Sequence, residues 1–365
     1  MQFVKTEDLK IGMRLARPIY SQKGVLLFER NSKLTAFAID SVRNFGLLGI
    51  YILEPAEPLP PMSEEDAEFE RFQTQTIFAI QNEIERILAN DRHISVQTQV
   101  LAEQIIRKYG HLDGKINFYQ NLRSREDYVY RHSFNVAVLC SLMCHTMNLR
   151  RDEQLQTVMA AIVHDIGKIQ LGGDFICRDD LTEEEKLKVY NVLMDSADII
   201  ERAFNPNGAG IRRVCTQAAM IQNGCAPAAL HKLILGARIL TVANRYDELT
   251  AMTVGGETKS EVLALQELME CPEVYDPQVV EALIQSVNIL FPGVSVELNT
   301  GDKALVLVEN AENILRPTVL CFSDNTILDL SLKLYHDIRI VDIMKTLDNR
   351  YIMDEESLKK VGYHV

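Results

Sequence analysis

The segment Ala160-Ala161-Ile162-Val163-His164-Asp165-Ile166-Gly167-Lys168 decides the fold of this chain. It places an imidazole and a carboxylate side by side at the end of an apolar helical run, and a glycine and a lysine follow at once. An imidazole and a carboxylate together can bind a divalent ion, and the ammonium group of Lys168 can contact an anionic substrate. The segment therefore indicates a metal site whose other ligands come from elsewhere in the chain.

A second candidate ligand, His132, lies on the apolar face of its own predicted helix. The apolar residues that follow it recur at helical spacing: Val136, Leu139, Cys140 and Met143. A lone histidine in such a place is more often a hydrogen-bonded core residue than a ligand. The metal interpretation therefore depends on finding further ligands that point to the same core.

A third predicted helix, residues 237–249, repeats this pattern with Asp247. Leu240 and Ala243 precede Asp247 at i−7 and i−4, so its carboxylate projects toward the apolar side. Coordination would offset the cost of burying these charged groups. The candidate ligands are His132, His164, Asp165 and Asp247. Their mixed nitrogen and oxygen atoms suit one divalent ion of iron, manganese or zinc. A buried polar cluster without a metal is the alternative.

Composition and charge restrict the classes of partner. A chain of 365 residues predicts two or three domains. Its net charge of −13 argues against a nucleic-acid polymer as partner. The seven cysteines form no CxxC motif and are typical of reduced, buried thiols. Since residues 1–5 lack a signal-peptide core and no stretch of ~20 apolar residues is present, we expect a soluble cytoplasmic protein without a membrane partner.

The order of patterns along the chain predicts a mainly α protein. An all-helical core is flanked by a small N-terminal α+β module and by a small C-terminal module that resembles a β-barrel or meander. The helices predicted between residues 64 and 108 could pair two chains in a homodimer. The predicted boundaries are 1–53 for the α+β module, 54–62 for a proline-rich linker, 63–125 for a helical connector, 126–290 for the helical domain, 291–342 for the β module and 343–365 for a tail with a short helix.

The motifs resemble those of the HD superfamily of metal-dependent phosphohydrolases, and more closely those of the HD-GYP branch, the cyclic di-GMP phosphodiesterases of bacteria. Residues 128–137 match the opening helix of that family, residues 164–168 its signature, and residues 242–250 the late helix that supplies its final aspartate. The resemblance covers about residues 126–290. It implies an HD-type helical domain with a metal centre.

The departures from the family pattern concern the second metal. In the family, one metal is held by the residues that match His132, His164, Asp165 and Asp247. The second uses the bridging aspartate and three histidines, which are replaced here by Val192, Ala218 and Ala219. The Gly-Tyr-Pro motif is also missing, since residues 223–227 contain no tyrosine. The resemblance therefore implies one retained metal site and one lost site.

Two functions fit this pattern, and whether the chain is an enzyme stays open between them. The favoured one is a degenerate signalling protein that binds a cyclic dinucleotide or a signalling partner and hydrolyses weakly or not at all. Loss of the bridged metal pair is expected to lower the rate on the order of 10³-fold or more. The alternative is an active phosphohydrolase with a single metal, acting on a cyclic dinucleotide or another phosphoester.

In the hydrolase interpretation, Asp165 orients the metal ligands and Lys168 neutralises developing phosphate charge. Both are therefore candidate catalytic residues. Candidate substrate-binding cations are Lys168, Arg212 and Arg213. The arginine pair is equally typical of a solvated helix face.

Overall fold

The structure is a computed structural model that describes residues 2–21, 25–45, 49–53, 64–89, 93–118, 123, 127–172, 181–224, 229–251 and 258–343. The chain divides into two compact units, the first including residues 1–75 and the second comprising residues 76–343. The protein is mainly helical, as predicted. No helix within the described ranges is long and apolar enough to cross a membrane.

The first unit contains a small α+β module. Its elements are β1 (Gln2–Lys5), β2 (Arg14–Leu15), β3 (Ile19–Tyr20), β4 (Leu26–Phe28), α1 (Ala36–Asn44) and β5 (Gly49–Leu53). The strands β1, β5 and β2 form an antiparallel sheet in that order, and β3 pairs with β4. Thr35 caps α1 by accepting a hydrogen bond from the Ala38 amide. The strands β2 and β3 are separate, because Pro18 between them has no amide hydrogen to donate to a ladder.

Two helices lead into the helical core. They are α2 (Glu64–Ala89), within which the boundary between the two units falls, and α3 (Val96–Tyr109). An apolar stripe on α2 is buried at Ile77, Ile80, Ile84 and Ile87. The proline-rich linker predicted over 54–62 lies outside the described residues.

Within the described ranges, seven further helices build the core of the second unit: α4 (Tyr128–Thr146), α5 (Arg151–Val163), α6 (Glu183–Ala203), α7 (Gly208–Gln222), α8 (Leu235–Thr250), α9 (Glu261–Glu270) and α10 (Pro277–Ser286). The helix α4 is central, because it packs against α3, α5, α8 and α10. Apart from Arg131, every residue from Tyr128 to Cys144 is buried. A polar side chain on α4 must therefore find its partners inside the protein.

The β module also belongs to the second unit. It comprises β6 (Ser295–Leu298), β7 (Lys303–Val308), β8 (Thr318–Cys321), β9 (Ile327–Asp329) and β10 (Ile340–Ile343), paired antiparallel in the order β10-β6-β7-β8-β9. Short antiparallel strands are present here, as predicted for the β module. The barrel-like form is not confirmed, because β9 and β10 lie at opposite edges and the described strands form an open sheet. The strand β10 was expected in part as tail, and the helix predicted in that tail lies outside the described residues.

Candidate metal centre

The signature segment forms the end of α5 and a tight turn. His164 is the C-terminal cap of α5, and a 3₁₀ turn (Ile166–Leu171) follows Asp165. Gly167 lets α6 approach this turn closely, because a Cβ atom there would lie 2.7 Å from the Val192 carbonyl oxygen. The turn is therefore fixed from both sides, by α5 and by α6.

His132 on α4 meets His164 and Asp165 inside the core. Their ligand-type atoms lie within 4.8 Å of one another, and we call these three residues the ligand cluster. The two Nε2 atoms are 3.3 Å apart, and each is 3.5 Å from a carboxylate oxygen of Asp165. All three side chains are at least nine-tenths buried. The sequence thus predicted correctly that these residues converge.

The hydrogen bonds behind each imidazole fix which nitrogen faces the cluster. Nδ1 of His164 lies 2.8 Å from the carbonyl oxygen of Ala161, which can only accept, so Nδ1 carries the proton. Nδ1 of His132 likewise donates to Oδ2 of Asp247 at 2.6 Å. In the neutral rings both Nε2 atoms therefore present lone pairs toward the cluster, as ligands of a metal do.

Asp247 lies on the other side of the His132 ring from the ligand cluster. Its Oδ2 accepts hydrogen bonds from His132 and from Arg123 at 2.6 Å, and its Oδ1 accepts from Arg123 at 2.7 Å and from Asn135 at 2.9 Å. The structure does not bring Asp247 into the cluster with the other three residues. Its contact with the cluster runs through His132, and direct coordination by Asp247 stays a prediction.

Asn244, which was not singled out from the sequence, faces both histidines. Its Oδ1 is 2.8 Å from Nε2 of His132 and 2.7 Å from Nε2 of His164. The two Nε2 atoms, Oδ1 of Asn244 and the Asp165 carboxylate thus meet at one point. All of these atoms offer lone pairs, so together they fit a cation. Rotating the amide by 180° satisfies the same atoms without a metal, because Nδ2 then donates to the histidines. The sequence feature that could have identified Asn244 is its position, one helical turn before Asp247.

Comparison with known proteins now identifies the helical core. Residues 117–279 match the protein family described as HD domain. The helical core thus matches the HD domain family. A cyclic di-GMP phosphodiesterase of Pseudomonas aeruginosa is 24% identical over 215 residues, which is 55% of this chain and 49% of that protein. The chain thus spans about half the length of this relative. The family match and this similarity confirm the HD-GYP-like resemblance that the motifs indicated.

Charges inside the HD domain determine how its groups ionise. Burial lowers the pKa of His164, which favours the neutral imidazole that metal binding requires. Burial opposes ionisation of Asp165, but the neighbouring His164 and Lys168 hold its pKa below the usual range. The same balance, set by Arg123 and His132, keeps the pKa of Asp247 low. Both aspartates are therefore carboxylates at neutral pH.

Lys168 lies next to the ligand cluster of the HD domain and is already paired. Its Nζ is 2.7 Å from Oδ2 of Asp165 and 3.3 Å from Oε1 of Glu248. Burial opposes its charge, but these carboxylates raise its pKa, so it stays protonated. A phosphate that contacts Lys168 must share it with two carboxylates.

Arg212 and Arg213 lie on α7 and line a surface cavity of about 320 Å³ together with Met194, Glu201, Ala209, Thr216 and Met220. Arg212 pairs with Glu201 at 2.6 Å and with Asp198 at 3.1 Å, both on α6. No ion pair or hydrogen bond within the described ranges joins either arginine to the ligand cluster. Their role in substrate binding stays a prediction.

The positions that match the missing histidines are apolar. Ala218 and Ala219 are buried on α7, and Val192 is half-buried on α6 where α6 meets Gly167. On the same buried face of α7, the thiol of Cys215 lies 3.7 Å from the Ala160 carbonyl oxygen of α5. The side chains of Val192, Ala218 and Ala219 carry no atom that can ligate a metal.

Proposed function

We propose that this HD domain is a degenerate member of the cyclic di-GMP phosphodiesterase type, which retains one metal site and hydrolyses cyclic dinucleotides weakly or not at all. The observation that carries the proposal is the contrast between two halves of one core. The ligand cluster supplies two imidazoles and a carboxylate, whereas Val192, Ala218 and Ala219 supply only apolar groups. The similarity to a cyclic di-GMP phosphodiesterase supports a phosphoester as ligand.

In this proposal the metal is an ion of iron, manganese or zinc, held by Nε2 of His132, Nε2 of His164 and the Asp165 carboxylate. When bound, it would supply Lewis acidity and a water molecule of lowered pKa. Asp247 holds the His132 ring in place through Nδ1, as a carboxylate behind a metal-binding histidine does. Asn244 contributes only a neutral amide, so the cluster carries a single negative charge and binds a metal less tightly than a cluster with a second carboxylate would.

In the proposed function, the cations near the ligand cluster bind the phosphoryl group of the ligand. Lys168 is nearest, and it offers three donors, of which one contacts Asp165. Arg212 and Arg213 would serve a more remote part of a ligand or a signalling partner. The helices α2 and α3 remain our candidate for pairing two chains, and a cytoplasmic location remains the expectation from the sequence.

The second candidate function is an active phosphohydrolase with one metal. The observation that favours it is the contact between Asp165 and Lys168, 2.7 Å apart, which places a metal ligand and a phosphate-neutralising cation side by side. One experiment separates the two functions.

The test measures bound metal and turnover on the same preparation, purified without chelator. We expect about one metal ion per chain by elemental analysis, with turnover of cyclic di-GMP and of bis(p-nitrophenyl) phosphate no higher than in Asp165→Asn. Robust turnover that disappears in Asp165→Asn would establish the hydrolase instead. Clearly less than one metal ion per chain, even after incubation with manganese, iron or zinc, would refute the metal site in both functions.

The matched control is Asp40→Asn, which removes the same charge from an exposed carboxylate on α1. It should leave metal content and turnover unchanged. Thermal melts of both variants show whether each is folded. If Asp165→Asn does not fold, His164→Gln serves in its place, because it removes a ligand without creating a buried charge.

A further inference from the structure

Glu248 on α8 lies between two cations at the edge of the metal centre. Its Oε1 is 3.3 Å from Nζ of Lys168, and its Oε2 is 3.7 Å from a terminal nitrogen of Arg245. The side chain of Glu248 is 24% exposed, so solvent reaches it. One carboxylate thus spans a pair of positive groups that a ligand can approach.

Each of these cations has a closer carboxylate partner. Lys168 is 2.7 Å from Asp165. Arg245 donates from Nε and from its second terminal nitrogen to one oxygen of Glu267, at 2.8 and 2.6 Å. The contacts of Glu248 are the longest in this network, so Glu248 is the carboxylate that is most easily displaced.

Both cations keep donors that their closer partners do not use. Lysine has three N–H donors and arginine has five. The terminal nitrogen of Arg245 that faces Glu248 makes neither of the two hydrogen bonds to Glu267. A phosphate group at the position of the Glu248 carboxylate would meet donors from both sides, with more charge and more acceptor oxygens than a carboxylate has.

We propose that Lys168 and Arg245 form a binding site for a phosphate group and that the carboxylate of Glu248 occupies this site when no ligand is bound. Glu248 is then an internal competitor that sets the threshold for ligand binding. The proposal rests on the proposed function only for the class of ligand, since a phosphoester carries the group that fits. It requires neither a bound metal nor turnover.

The experiment titrates inorganic phosphate, followed by pyrophosphate, into chelator-treated full-length protein at constant ionic strength, and measures binding by calorimetry. We expect Glu248→Gln to bind phosphate at least tenfold more tightly than the unmodified chain. The substitution removes the competing charge while it keeps the size of the side chain. Because the protein is treated with chelator, phosphate binding is measured without a metal. The result therefore stays interpretable if the metal site or the enzymatic activity of the proposed function fails.

The matched control is Glu281→Gln on α10, an exposed glutamate that accepts a hydrogen bond from Gln285. It changes the net charge equally and should leave phosphate affinity unchanged. The double variant Glu248→Gln with Arg245→Gln should lose the gain. If Glu248→Gln binds phosphate no more tightly than the control does, the proposal is wrong.

A second variant covers failure of Glu248→Gln to fold. Glu248→Asp keeps the charge but withdraws the carboxylate by one methylene from both cations. We expect a smaller gain in phosphate affinity, about threefold. Unchanged affinity in a folded Glu248→Asp would then overturn the proposal.

Discussion

Arg123 and Asp247 form a buried ion pair with two parallel hydrogen bonds of 2.6 and 2.7 Å, although 124 residues separate them in the sequence. The guanidinium also lies over the ring of Tyr128, 5.2 Å from its centre. Asp247 in turn accepts the Nδ1 proton of His132. Arg123 therefore acts on the metal centre through two intermediaries, and it fixes the direction in which Nε2 of His132 points.

Replacing Arg123 by methionine should strongly destabilise the protein. The variant leaves Asp247 buried without its main partner, and breaking a buried pair in this way costs about 3–5 kcal/mol. Urea unfolding at pH 7 measures the loss. Arg150→Met is the matched control, because Arg150 pairs with Glu153 on the surface, where the loss should stay below about 1 kcal/mol. Equal losses in both variants would contradict the role of the buried pair.

The pH dependence of stability should report the same pair. The pKa of Asp247 is held below its usual range, so its ionised form contributes stability above the unfolded pKa of about 3.9, and this contribution is lost as the pH falls through the folded pKa. Without Arg123, burial raises the pKa of Asp247 in the folded state. The difference in unfolding free energy between the unmodified chain and Arg123→Met should therefore shrink from pH 7 to pH 3.5. A constant or growing difference in urea titrations at these pH values would refute this.

The sequence predicted the convergence of His132, His164 and Asp165 because helical periodicity reports which face of a helix is buried. A polar residue in phase with apolar neighbours must point into the core, whatever the tertiary arrangement is. Arg123 lies outside any helix, so no local period places it. Its partner is set by long-range packing, which a single sequence does not contain.

The choice between Asn244 and Asp247 shows the limit of the same reasoning. The two residues are one turn apart on α8, so the period assigns both to the inner face and cannot rank them. The deciding contact is the one between Asp247 and Arg123, which draws that carboxylate behind His132. The open C-terminal sheet has a related cause, since strand periodicity predicts strands but does not determine whether the two edges meet.

Gly167→Ala should destabilise the protein by about 1–3 kcal/mol, as overpacking typically does. Its Cβ atom would lie 2.7 Å from the Val192 carbonyl oxygen, which is backbone and cannot turn away. Gly114→Ala is the control, because nothing lies within 4 Å of a Cβ atom at that position. Urea unfolding compares the two. A loss in Gly167→Ala no larger than in the control would show that α6 yields easily at this contact.

Asn244→Asp should convert the ligand cluster into a tighter metal site. The amide lies within 2.8 Å of both imidazoles, so a carboxylate there adds a second negative charge at the point where the ligand atoms meet. We expect manganese or zinc affinity to rise at least tenfold in calorimetric titrations. The matched control Asn288→Asp changes the same groups at an exposed amide that donates to Asn117, and it should have no effect.

The metal-free form of Asn244→Asp supplies an independent readout of the same prediction. Without a metal, its new carboxylate lies beside that of Asp165 in a buried site, and two neighbouring negative charges destabilise the fold. The melting temperature should therefore fall below that of the unmodified chain in chelator and rise by more on metal addition, because binding to the folded state alone stabilises it. A variant that gains neither affinity nor a larger thermal response would show that Asn244 does not face a metal, and would favour the purely hydrogen-bonded cluster with its amide donating to both histidines.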